Sequence, residues 1–324
     1  MMTMKKRLLF FGSLAMLLCY CEVQDPETYA GYDSHIQNDL DVEQMLPWLS
    51  NWNRWGGNDE LGTINFITPE LMTSAAKLIK SGVVFSLARE SSISTSGEVA
   101  ESAYTMKKGL YGSRDYVGAI WHGFEITHLD GLSHVFADTS RLFNGYKTNN
   151  LLDTGAQKLG METIARQGIV GRGVLIDAGR YISDLKVGDA ILPSQLELVL
   201  KRQNIELMPG DILFIRTGFG RKNTRERRSG LHPSCLIMIR DKQIALLGSD
   251  GDNDAHPIVG FKRWSSAFHT VGIPYLGLPL IDNADLEALS EHCHKVNRYT
   301  FFVSISPWKL KGTTSSPINP LAIF

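Results

Sequence analysis

Short apolar runs bounded by Gly, Asp or Pro recur along the chain at residues 83–87, 173–176, 212–215 and 244–247. Runs of this length with such punctuation predict strands. Helical candidates lie among and after them at 194–203, 233–241, 255–269 and 285–294. This alternation predicts an α/β or α+β class with a largely internal β-sheet and flanking helices. Earlier in the chain, Thr68-Pro69-Glu70 offers a capping threonine followed by proline at the first helical position, and so opens a helix. Leu71, Ala75, Leu78 and Ile79 are its expected buried stripe. Trp48, Trp52 and Trp55 cluster just before the loop signal of residues 56–59 and are candidates for either core or site.

The N-terminal pattern is different. Lys5, Lys6 and Arg7 precede an apolar stretch over residues 8–20 that is too short to span a bilayer comfortably, which is the form of a secretory leader. Residues 1–21 are therefore expected to be a signal peptide or lipoprotein signal, with Cys19 and Cys21 hinting at lipid attachment, and the mature protein to be exported to the periplasm or medium with no stable membrane span. Residues 22–46 are polar without a sustained period and read as a tether or a wrapped arm, and residues 47–324 as the folded part, one large domain or two intimately joined ones. Beyond the leader only Cys235 and Cys293 remain, too few for a disulfide framework.

Composition narrows the partners. The 324 residues are 43% hydrophobic and 21% charged, enough for a sizeable core, and 33 Lys plus Arg against 34 Asp plus Glu leave a net charge of -1. Such a balance gives no electrostatic reason to expect nucleic acid. Five basic side chains in residues 221–228 read as a solvated loop. A small, weakly charged substrate fits better.

The chemistry concentrates in residues 122–134, where His122, His128, Asp130 and His134 fall within thirteen positions. Histidine is the commonest metal ligand and the side chain best suited to proton transfer near neutral pH. In an extended segment His128 and Asp130 point to one face with backbones about 6 to 7 Å apart, so an imidazole and a carboxylate can converge on one cation. Gly123 and Gly131 permit the chain to bend around it. His122 shares strand parity with His128 but would stand roughly 20 Å away on an extended strand, so it can join only if the chain turns at Gly123. A catalytic metal wants at least three protein ligands, and His269 and Asp282, at the end of the apolar run 275–281, are further candidates. Asp282 is equally readable as a cap for the helix near Asp285. Two other patterns are set aside. The glycines of 168–173 precede a strand where a dinucleotide fingerprint must follow one, and His292 and His294 on a helix point about 200° apart. No Gly-x-Ser-x-Gly nucleophile elbow is present.

Residues 52–65 (WNRWGGNDELGTIN), 127–134 (THLDGLSH), 171–177 (GRGVLID), 209–218 (PGDILFIRTG) and 312–317 (GTTSSP) together resemble the putative cyclase family, which includes metal-dependent kynurenine formamidases and isatin hydrolases. The resemblance runs from about Trp48 to the C-terminus. It implies a mixed sheet in a swivelling β/β/α arrangement, a divalent metal, zinc or manganese, and hydrolysis of a carbon–nitrogen bond in a small amide or cyclic amide. By it His128, Asp130, His269 and Asp282 become metal ligands and His134 the general acid and base. It also suggests a homo-oligomer. The family's short form, His-x-Gly-Thr-His, departs here: Phe124 stands at its first histidine and Ile126 at its glycine, which leaves His122 as the replacement candidate. Lactone or ester hydrolysis at the same site, or a non-catalytic binding protein on the same fold, are the alternatives.

Overall fold

The structure is a computed structural model and describes residues 29–90 and 103–324. The leader expected at 1–21, with Cys19 and Cys21, lies outside these residues. Its centre is a nine-stranded mixed sheet in the order Val84–Ser86, Leu321–Ile323, Thr300–Ile305, Ile169–Asp177, Ile212–Arg216, Leu246–Ser249, Leu280–Asp282, His128–Asp130, Ser315–Pro317. The four neighbours from Ile169–Asp177 to Leu280–Asp282 run parallel, and antiparallel strands flank them on both sides. Parallel strands carry helices on their faces and are buried on both. The continuous apolar run of Ile212–Arg216 is buried at every position but its last.

Side-chain alternation divides the core. Val174, Ile176, Leu213, Ile215 and Leu247 pack on one face with Val42, Leu196, Val199 and Leu236. Leu175, Phe214, Leu246 and Ile281 pack on the other with Leu289, Cys293, Phe301 and Val303. The α/β class and mixed sheet are as the pattern and the resemblance led one to expect. The helices Pro193–Gln203, Cys235–Asp241 and Glu287–Val296 fall within two residues of their expected bounds, and the Pro69–Ala76 helix is capped by Thr68, whose side chain accepts from Leu71 N–H. Ile79, expected in its buried stripe, lies beyond its end and is 40% exposed. Both cysteines of the described residues are free and buried.

Two expectations are corrected. Residues 255–266 form no helix: Pro257 lacks an N–H and its ring clashes with a helical carbonyl, and Gly260 sits at φ +92. A π-helix, Phe268–Leu276, follows. Of the arm read at 22–46, the described residues carry a 3-10 helix at Tyr29–Ser34 and a helix at Asp39–Leu49 capped by the Asn38 side chain. The boundary placed near Pro47 therefore falls inside that helix. Tyr32, Ile36, Val42 and Leu49 are buried in the core. Among the described residues no helix is long and apolar enough to cross a membrane.

One buried charge gives a pH-dependent expectation. Asp211, at the foot of the Ile212–Arg216 strand, accepts from Met208 N–H at 2.8 Å and stands 3.6 Å from Arg172. Burial outweighs both and pushes its carboxyl up to about 6 from 3.8. Between these values the unfolded chain releases the proton while the folded protein keeps it, so stability falls as pH rises from about 4 to 6 and stays at the lower level above. Asp211→Asn cannot ionise and is expected to raise stability on the order of 1–2 kcal/mol at pH 7.5, and much less at pH 4. Urea midpoints at the two pH values check this; equal shifts at both would count against it.

Candidate metal centre

The sheet register assembles the site. Asp282 pairs across the ladder with His128, and Leu280 with Asp130. On the other side Ser315 pairs with Asp130 and Pro317 with His128. Directly opposed residues share a face, and alternate residues along a strand return to it. His128, Asp130, Asp282 and Ser315 therefore lie on one face, while Leu129 and Ile281 point into the opposite core. His134 follows through a tight turn in which His134 N–H donates to Gly131 O at 3.1 Å. Gly131 must be glycine, because a Cβ there would stand 2.9 Å from Thr314 O. His269 comes from the first turn of the π-helix, a helix type that is rare and concentrates at functional sites.

The chain does turn at Gly123, at φ +142, and His122 swings back to the cluster. This turn is held from outside: Asn283 Nδ2 donates to Gly123 O at 2.6 Å and Ile126 O at 3.2 Å, and Arg89 Nη1 donates to Phe124 O at 2.6 Å. Phe124 thus contributes a backbone carbonyl to the scaffold.

All six candidate residues meet around Asp130. Its Oδ1 lies 3.2 Å from His122 Nδ1 and 3.6 Å from His128 Nε2, and its Oδ2 lies 3.6 Å from His134 Nε2 and 3.5 Å from His269 Nε2. Asp282 Oδ2 is 3.4 Å from His269 Nε2 and 3.9 Å from His128 Nε2. Most of these separations exceed hydrogen-bond length. They match the spacing of about 3.3 Å between ligand atoms that each stand about 2.0–2.1 Å from a tetrahedral ion. His122 Nδ1 and Asp130 Oδ1 are also buried without a hydrogen-bond partner, a costly arrangement for two facing polar atoms unless something lies between them. Two groups, His122, Asp130 and His134, and His128, Asp130 and Asp282, have the proximity that an ion needs. A divalent cation fits this donor set.

The surrounding hydrogen bonds orient the donors. His128 Nδ1 is 2.8 Å from Ile126 O, so Nδ1 carries the proton and Nε2 presents its lone pair inward. His269 Nδ1 lies 2.6 Å from Asp254 Oδ2, whose carboxylate also accepts from Phe268 and His269 N–H. Asn253 Nδ2 donates to Asp282 Oδ1 at 2.7 Å, which fixes Asp282 in the site and removes it from the capping role. Partners of this kind set ring orientation and ligand basicity. Asp254, Asn253, Asn283 and Ser315 were not singled out from sequence. The available signals are the acidic run at residues 250–254, following a predicted strand, and the motif at 312–317 that contains Ser315.

Within the cluster the charges pull on one another. Burial opposes ionisation of Asp130, but the imidazoles of His128, His122, His269 and His134 hold its carboxyl well below the usual range. Burial lowers His134 to about 4 against the attraction of Asp130. His269 is raised well above its ordinary value: burial works against this, and Asp282, Asp130 and Asp254 prevail. A cleft of about 320 Å3, lined by Ile120, Trp121, His122 and residues 312–315, opens beside the cluster. A larger cavity of about 510 Å3 near Leu71, Arg172 and Tyr299 is lined by no histidine. Trp121 is the tryptophan nearest the chemistry. Trp52 stacks on Tyr275 and packs against the core.

A mixed sheet with an inward-facing His and Asp cluster near one edge defines an α/β protein with a candidate metal site. Residues 120–253 match the family described as putative cyclase, and the resemblance read from the motifs is borne out. A crystal structure described as a novel cyclase superposes with a TM-score of 0.76 at 28% identity, covering 85% of this chain and 99% of that one. Isatin hydrolase A from Ralstonia solanacearum has a TM-score of 0.53 at 16% identity, covering 78% of this chain and 95% of its own. Isatin hydrolase A from Labrenzia aggregata has 0.51 at 15%, with 78% and 97% covered. These two share the fold. No curated protein matches the chain.

Proposed function

We propose that this protein is a metal-dependent hydrolase that cleaves a carbon–nitrogen bond in a small amide or cyclic amide. The observation that carries the reading is the convergence of four imidazoles on the two oxygens of one buried carboxylate, at separations set for a shared cation. His128, Asp130, His269 and Asp282 would hold the ion, with His122 beside them. A bound zinc or manganese ion lowers the pKa of water toward about 7 and polarises a carbonyl. Amide cleavage also requires a proton for the departing nitrogen, and His134 suits that task. Its side chain is 26% exposed against 2% for His128, so Nε2 can take a proton from water and return it to the amine. The same site chemistry extends to lactones and esters, and two proteins named isatin hydrolases share the fold.

Elemental analysis of protein purified without chelator, followed by a panel of formamides, cyclic imides and lactones with added zinc or manganese, tests this reading. Stoichiometric metal and turnover of an amide are expected. Stoichiometric metal with no turnover of any class would make the chain a binding protein, and the absence of tight metal would remove the reading altogether.

A further inference from the structure

The second layer around His122 comes from a different part of the chain. Ser315, 1% exposed, lies directly across the ladder from Asp130. Its Oγ accepts from Trp121 Nε1 at 2.7 Å and lies 2.8 Å from His122 Nε2. On the far side of the same ring, His122 Nδ1 stands 3.2 Å from Asp130 Oδ1, yet both atoms are buried with no hydrogen-bond partner. The ring is also stacked on His134, with centroids 4.1 Å apart and planes at 11°.

A neutral imidazole has one donor nitrogen and one acceptor nitrogen, and a neighbour decides which is which. If Nδ1 carried the proton, a buried N–H would stand 3.2 Å from a carboxylate oxygen without reaching hydrogen-bond geometry, and both polar atoms would stay unpaired. With the proton on Nε2, the ring donates to Ser315 Oγ, an oxygen with two lone pairs that accepts from Trp121 as well. Nδ1 then presents a lone pair toward Asp130, which is the arrangement for two ligand atoms.

From this we infer that Ser315 is a positioning residue that makes His122 a metal ligand through Nδ1, whereas His128 and His269 present Nε2. The inference rests on the metal reading above. It assigns a role to a serine 193 residues away in sequence, with Ser316 on the opposite face, where its Oγ accepts from Trp308 N–H and donates to Pro317 O.

The test uses the full chain stripped of metal and titrated with Co2+, reading affinity and the visible ligand-field spectrum, which follows coordination and is not moved by a loss of general stability. Ser315→Ala is expected to weaken Co2+ binding about 10–100-fold and to shift the spectrum toward that of His122→Ala. Ser316→Ala, an equal truncation on the same strand, is expected to match the wild type. The proposal is overturned if Ser315→Ala keeps wild-type affinity and spectrum while His128→Ala loses binding, or if Ser315→Ala weakens binding and His122→Ala does not. Undiminished binding by His128→Ala would instead remove the metal reading itself, so the two failures are distinguishable.

Discussion

Asp130→Ala is expected to cost the protein its metal. Both groups of potential ligands share this carboxylate, and its two oxygens face His122, His128, His134 and His269 at 3.2 to 3.6 Å. No other described side chain holds that place. The loss should therefore exceed the roughly 10–100-fold reduction in affinity typical when only a supporting residue is removed. Metal content after dialysis, with melting temperature as a control for folding, checks it. A folded Asp130→Ala protein retaining wild-type metal would mean that the ion, if any, sits elsewhere.

His134→Ala should separate chemistry from binding. The side chain is on the more open side of the cluster and carries, in this reading, the proton that the leaving nitrogen needs. Metal content is expected to remain near the wild-type level while turnover falls by about 10² to 10⁴. Should His134→Ala lose metal as completely as Asp130→Ala, then His134 is a ligand of the group it forms with His122 and Asp130, and the proton must be carried by another residue.

Much of the fold could be read from the chain because its central strands are buried on both faces. Residues 212–215 and 173–176 are unbroken apolar runs, and few other environments accept such runs. The Asp39–Leu49 helix is hard to see in the arm because Tyr32, Ile36, Val42 and Leu49 are widely spaced among polar residues. Asn38 with Asp39 and Asp41 was a legible helix start that went unused. Residues 255–266 were misread in the opposite sense, since Pro257 and Gly260 interrupt the segment that leads to His269. At the site, His128 and Asp130 follow from the two-residue period alone. His122 depended on one glycine torsion, and Asp282 could be separated from its capping alternative only once Asn253 was seen to hold it. Ser315 and Asp254 act across the sheet or through a helix turn, relations that a linear sequence does not record.

The strand carrying His128 and Asp130 lies between one that begins at residue 280 and one that begins at residue 315. The candidate donors become neighbours only after most of the chain has taken its place. An ion held by these donors would link its capture to folding: at a free-ion concentration one hundred times the dissociation constant, the native state would gain about 2.7 kcal/mol over the unfolded chain. Depletion by a chelator would accordingly be felt throughout the nine-stranded sheet, and fragments ending before residue 280 would lack a pocket to fill.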